Sequence, residues 1–284
     1  MGGGIYEHTR LTSLPDYLHF LDSDDYLRLD CIEKCLELAE GFDAQVVWHS
    51  LTIYNEQTQE MSSSNTFAEL GLKEECIYDG LEIFASLPEP PSFSWAWCGM
   101  VHFDFLIQNN LRFIEGIESE DAPFGMQLFA LSSKIIISHL ELCVYRIRPN
   151  SISQHTLSRT SKSKDISFPE SLSDLVCVFQ TPYEVRHYNF AYSACIICLV
   201  MDEFLKNTNL SKEMKEILTR MIEHRAIYAF GGLTFGADPR DCRAMCKQLL
   251  PYSSKIRFGS RMAFYFPLVF ALLKKLKNMF RIQS

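Results

Sequence analysis

Three carboxylates crowd one short stretch near the beginning of the chain, His19-Phe20-Leu21-Asp22-Ser23-Asp24-Asp25. The run from Tyr17 to Leu21 that leads into them is apolar, and a short apolar run bounded by polar residues reads as a buried strand. Carboxylates at the C-terminal end of such a strand open into the crevice where α/β sheets bind ligands. Asp22 and Asp24, two residues apart, can meet around one hard cation, because oxygen ligands suit Mg2+ or Mn2+. Asp25 stands just before a helical pattern, where a carboxylate would cap free backbone N–H groups. The chemistry that fits is a cation-assisted site for a phosphorylated ligand. The plainer reading of the triplet alone is a solvated acidic turn.

A second acidic pair, Glu120-Asp121, lies at a loop-to-helix junction, with Pro123 in the first helical turn. Group transfer from a phosphorylated donor to a hydroxyl needs a cation at the leaving group and a base at the acceptor. Glu120-Asp121 is the best base candidate in the chain. One carboxylate can face the crevice while the other caps the helix, and adjacent like charges push their pKa values apart.

The ten cysteines are spread over 284 residues. Cys195 and Cys198 have CxxC spacing inside an apolar run, without the second pair that a zinc ribbon needs. Cys31/Cys35 and Cys242/Cys246 lie at helical i,i+4 spacing. All are read as core packing with reduced thiols. The net charge of −8 argues against general nucleic-acid binding. No signal-peptide pattern opens the chain, and charged residues or Pro interrupt every long apolar run.

These residues need elements to position them. Leu29, Ile32, Leu36 and Ala39 recur with a helical period, with Gly41 as a stop. Ala44 to Tyr54 reads as a strand, Tyr78 to Leu87 as a helix that ends before Pro88, and Phe103 to Ile107 as a short helix. Leu111 to Phe113 reads as extended, Phe124 to Ser132 as a helix, and Lys134 to Leu140 and Leu142 to Arg146 as two extended runs. The segment 154–170 is polar and reads as a linker or mobile loop. Beyond Ser171 the pattern is mainly helical. The tail joins aromatic and aliphatic residues from Arg261 to Leu273 with Lys274, Lys275, Lys277 and Arg281, which suits a helix on an anionic membrane surface. The competing reading is a C-terminal helix docked on the body with solvated lysines.

Four features occur together in order: the run Tyr17 to Leu27, then Trp97-Cys98-Gly99, then Leu111-Arg112-Phe113 with Glu120-Asp121, then Tyr145 to Ile152. In this order and rough spacing they resemble the central part of a family 2 glycosyltransferase of the bacterial surface-polysaccharide and lipopolysaccharide type. The resemblance implies a GT-A fold and an inverting, metal-dependent transfer from a nucleotide-sugar donor, with a UDP-sugar expected, to a glycan or lipid-linked acceptor. It places Asp22 and Asp24 on the element that holds Mn2+ or Mg2+ and the diphosphate. Asp121 falls on the catalytic base, beside Glu120, and Trp97 falls near the acceptor. Arg146, Arg148 and Ser151 fall on a segment that closes over the donor diphosphate, where the planar fork of arginine suits phosphate oxygens. Charges in solvent on a plain strand are the competing reading for both arginines.

The strand-and-loop units that bind the nucleotide base in such enzymes have no counterpart before Tyr17. The expectation is therefore an α/β fold, a partial GT-A core truncated at its N-terminus, with the Tyr17 strand exposing an edge. The organisation expected is 1–153 catalytic core, 154–170 linker and 171–284 helical region with a basic amphipathic tail. The location expected is cytoplasmic and peripheral on the inner membrane face, through residues 261–281. The alternatives are a non-catalytic remnant or membrane-associated interaction protein, and a phosphohydrolase using the same Asp22/Asp24 pair.

Overall fold

A computed structural model describes residues 14–148 and 168–282. Its described residues form two compact units, one of 14–115, 121–148 and Leu210–Ile217, the other of Gly116–Glu120, 168–209 and 218–282.

The first unit is built on a mixed sheet of seven strands. These are β1 (Tyr17–His19), β2 (Tyr26–Leu27), β3 (Val46–Asn55), β4 (Glu60–Ser63), β5 (Ile77–Tyr78), β6 (Gly99–His102) and β7 (Ile135–Ile147). The path through the sheet is β1-β6-β3-β7-β2, with β4 added to β3 and β5 to β7. Among the described residues only β3 and β7 run parallel, and every other pairing is antiparallel. Among the same residues β1 pairs with β6 alone. The run Ile135-Ile136-Ile137 is buried on both faces of β7, as a central strand requires.

Helices α1 (Cys31–Phe42), α2 (Thr66–Leu70), α3 (Gly80–Ala85), α4 (Phe103–Gln108) and α5 (Asp121–Leu131) complete this unit. The helical period around α1 was right in type and in half of its residues, since Ala39 is buried in a cluster against which Leu36 packs. Leu29 and Ile32 are exposed, while Cys31, Cys35 and Ala39 pack on Val47, Met100 and Ile136. The stop is Asp43, in the left-handed region at φ 51°, and Gly41 lies inside the helix. Asp79 and Glu82 form a reciprocal cap that starts α3.

Side chains alternate across β3. Val47 belongs to the α1 cluster, whereas Trp48 meets Phe67, Phe93 and Phe129 on the opposite face. The two extended runs expected after Lys134 are one strand, β7, whose register against β3 shifts around His49, Ser50 and Leu51. Leu111 to Phe113 carries no strand.

The second unit is helical, as its sequence pattern implies. It holds α6 (Ser173–Val176), α7 (Pro182–Asn207), most of α8 (Lys212–Gly231), α9 (Cys242–Gln248), α10 (Phe258–Tyr265) and α11 (Pro267–Ile282). Thr181 caps α7 by accepting from the Glu184 N–H, and Pro182 opens the helix where no donor is needed. By length and composition α7 could cross a membrane, but 61% of its most apolar window is buried within the protein. Along α11, Leu268, Val269, Leu272, Leu273 and Leu276 stay exposed.

Candidate active site

The Asp25 N–H donates to the Asp22 carbonyl at 3.1 Å and closes a turn between β1 and β2. Because β2 pairs with Val144 and Cys143 of β7, the turn lands beside the far end of that strand. There the Arg146 N–H donates to Asp25 Oδ1 at 2.8 Å, while Asp25 Oδ2 is buried without a hydrogen-bond partner. Asp25 is thus a buried tie between turn and strand. It is not the helix cap expected from its position, since α1 begins six residues later at Cys31. Burial raises its pKa, the Arg146 N–H opposes that rise, and the charges of Asp24 and Asp22 add to it.

Asp22 is an exposed residue, yet the protein close around its carboxyl withdraws enough water to raise its pKa. The charges of Asp24 and then Asp121 add to that rise. The fold therefore brings Asp121, at the first position of α5, into the electrostatic neighbourhood of the turn across a hundred residues of sequence. Two glycines let neighbouring backbones pack closely around α5 and β6. A Cβ on Gly99 would overlap the Val47 carbonyl, and one on Gly125 would press into the Trp95 backbone, which bonds in turn to the Asp121 carbonyl. Glu120, the neighbour of Asp121, is exposed.

The two arginines take different partners. Arg148 forms an ion pair with Asp24 at 2.5 Å, so it meets the carboxylate turn directly. The Arg146 guanidinium pairs with Glu56 at the β3–β4 turn, and only its backbone reaches Asp25. Ser151 lies outside the described residues. Trp97 is half-buried and stacks on Tyr145, with ring centroids 5.2 Å apart. Burial pushes the thiols of Cys98 and Cys143 up, Cys143 to about 12, and nearby carboxylates including Asp22 and Asp25 add to both shifts. Neutral thiols are poor nucleophiles, so neither cysteine competes with the carboxylates for chemistry.

What emerges is a turn of three carboxylates, one of them paired with Arg148, with the charge of Asp121 felt at Asp22. Such a group can hold a cation, take a proton from a hydroxyl and pair with phosphate oxygens. Sequence spacing pointed to Asp22, Asp24 and Asp121. It missed the buried role of Asp25 and the partners of Arg146 and Arg148, because those pairings cross 90 to 124 residues and leave no local pattern.

No protein-family model matches the chain. Over 145 residues, 49% of its length, the chain is 30% identical to the glycosyltransferase GlyA of Streptococcus pneumoniae serotype 4 (strain ATCC BAA-334 / TIGR4). The match takes in 20% of that protein, so the chain spans about a fifth of its curated relative. Among solved structures it is similar to S. aureus TarS 1–349 in complex with UDP-GlcNAc. The TM-score is 0.49 and the identity 14%, over 89% of this chain and 65% of that one. TarS 1–349 in complex with UDP gives a TM-score of 0.48 and 13% identity over 96% and 68%.

Proposed function

We propose that this chain is the sugar-transferring part of a family 2 glycosyltransferase of GT-A type, acting by inversion on a nucleotide-sugar donor. The observation that carries the reading is the ion pair of Arg148 with Asp24 in a turn that holds three carboxylates, with the charge of Asp121 felt at Asp22. The sequence similarity to a glycosyltransferase over half the chain supports the same reading.

Asp22 and Asp24 would hold Mn2+ or Mg2+. The fit rests on donor chemistry alone: Asp22 and Asp24 stand two apart in one turn and offer the oxygen ligands that a hard cation takes. When bound, the cation supplies Lewis-acid neutralisation of the diphosphate. The remaining work belongs to the chain. Asp121 accepts the proton of the acceptor hydroxyl as that oxygen attacks the anomeric carbon from the face opposite the leaving diphosphate, with exposed Glu120 alongside. Arg148, paired here with Asp24, would supply a planar fork to the donor phosphates. Arg146 and Ser151, the latter outside the described residues, are further candidates for contact with the donor diphosphate, and Trp97 on Tyr145 offers an aromatic face to the acceptor.

The acceptor proposed is a growing surface glycan or lipid-linked saccharide at the cytoplasmic membrane face. The exposed apolar residues of α11 support a peripheral contact there. The test is calorimetry of the purified chain against UDP-sugars with Mn2+, followed by release of UDP on adding acceptor. Heat that disappears in Asp24→Ala is the expected result. Absence of heat for every donor would overturn the reading in favour of a non-catalytic, membrane-associated protein.

A further inference from the structure

The imidazoles of His19 and His49 meet with their Nε2 atoms 3.0 Å apart. The other nitrogen of each ring, Nδ1, lies 2.7 Å from a backbone carbonyl, Phe20 O for His19 and Ser50 O for His49. A carbonyl only accepts, so each Nδ1 carries its proton, and two neutral rings then turn Nε2 lone pairs on one another. Lone pairs at that separation repel, so the pair calls for a positive centre between them, a shared proton or a metal ion.

The surroundings identify that centre. Cys31 Sγ lies 3.7 Å from His19 Nε2 and 4.0 Å from His49 Nε2. With Cys35 Sγ, all four ligand atoms lie within 4.8 Å of one another. A tetrahedral ion with Zn–N of about 2.0–2.1 Å and Zn–S of about 2.3 Å sets its ligand atoms roughly 3.3 to 3.8 Å apart. The observed gaps bracket that range. Hydrogen bonds from Nδ1 to carbonyl oxygens are also the outer-shell pattern that orients metal-binding histidines.

We propose that His19, Cys31, Cys35 and His49 form a closed tetrahedral zinc site that joins β1, α1 and β3 beneath the carboxylate turn. The fold explains how the set assembles. Helical i,i+4 spacing puts both thiols on one side of α1. His49 shares the α1-facing side of β3 with Val47, and His19 sits two residues from Tyr17, which packs against the same cluster. Cys31, Cys35 and His49 are buried. His19 is half-buried and also lines an open groove between β1 and α1, which gives the ion a way in.

Two thiolates and two imidazoles leave no open coordination position, so the site is structural. It clamps the chain three residues before Asp22 and six after Asp25, at both ends of the segment that carries the carboxylates. Its sulfur and nitrogen ligands select a softer ion than the oxygens of Asp22 and Asp24 do. It stands whether or not the chain transfers sugar.

The experiment uses the full chain, expressed with zinc and purified without chelator, and reads metal content by elemental mass spectrometry. One zinc per chain is expected. The reduced, metal-free chain titrated with Co2+ should gain tetrahedral d–d bands and a near-ultraviolet thiolate-to-cobalt band. Cys35→Ser and His19→Gln should lose the zinc and the thiolate band, while Cys143→Ser, a buried thiol on β7 outside the cluster, should keep both. His19→Gln alters the half-buried ligand at the sheet edge, so it reports on the site even where Cys35→Ser fails to fold. A folded, reduced chain with no zinc and no tetrahedral cobalt spectrum would overturn the proposal. So would a cobalt spectrum without the thiolate band that vanishes in Asp24→Ala, or equal losses in Cys143→Ser and Cys35→Ser.

Discussion

Cys31/Cys35 and Cys242/Cys246 carry the same local signal, two cysteines four apart on a helix, and the fold puts them in different surroundings. The first pair faces His19 and His49, each ring aimed by a carbonyl. Contact with Cys35, and then with the histidines, holds the Cys31 thiol well below its usual range, while that same contact and burial push Cys35 up. The second pair faces Cys195, whose sulfur is 3.9 Å from that of Cys246, and the hydroxyl of Tyr188, 3.3 Å from Cys242. There the sulfur neighbours and burial push the Cys195 thiol up. Both pairs are buried in core, but the first also faces two imidazoles, whereas the second faces a further thiol and a phenol. The lesson is that spacing presents two thiols on one side of a helix, and the residues across from them decide whether that side binds or merely packs.

A similar split runs through the charged groups. In the first unit, Asp22, Asp24 and Asp25 gather with few positive partners. In the second, Arg240 is fully engaged. It pairs with Asp174 through two 2.8 Å bonds, donates to Asn189 and to the Ser171 carbonyl, and lies over the Tyr192 ring. The first arrangement leaves capacity for a ligand; the second uses its capacity internally.

Variants should separate the two regions, beginning with the largest effect. Asp121→Asn should cut transfer by about 10²–10⁴-fold with the thermal midpoint unchanged, read as UDP release under saturating donor. Retained turnover would move the base elsewhere. Next, a strong chelator should lower the midpoint of the wild-type chain and leave that of Cys35→Ser where it is. If the chelator shifts both alike, the two cysteine pairs do not differ as described.

Arg240→Ala should cost about 2–3 kcal/mol in denaturant unfolding, because it strips Asp174 and Asn189 of charge-assisted bonds, while zinc content holds. Cys246→Ala should cost only about 1–2 kcal/mol for a small buried cavity, again without loss of metal. Zinc lost in either variant would join the two regions that the comparison separates.

The smallest effect concerns pH. Asp22 and Asp25 have pKa values raised in the folded state, so between the ordinary carboxylate range and those folded values the native chain binds more protons than the unfolded one. Without divalent cation, stability should therefore fall as pH rises through that window and recover as pH drops through it. Asp22→Asn should flatten the dependence and slightly raise the midpoint at neutral pH. A midpoint that instead climbs with pH across the window would show that the carboxylates are not crowded.

Much of this was readable from local pattern, because local pattern depends on neighbours in the chain. Periodicity placed β3, α3, α4, α5 and the helices of the second unit. Charge spacing picked out Asp22, Asp24 and Asp121, since paired carboxylates beside an apolar run are visible without any fold. Partners far apart in the chain were not readable. That Asp25 is buried against the Arg146 backbone follows from the β2–β7 pairing, and no short window contains both. His19 and His49 looked like ordinary strand residues, and Cys31 and Cys35 like ordinary core. Only the ordering of β1, β6 and β3 beside α1 makes four unremarkable residues into one set of ligands, because a metal site is defined by distances between side chains and the sequence fixes those only after it has folded.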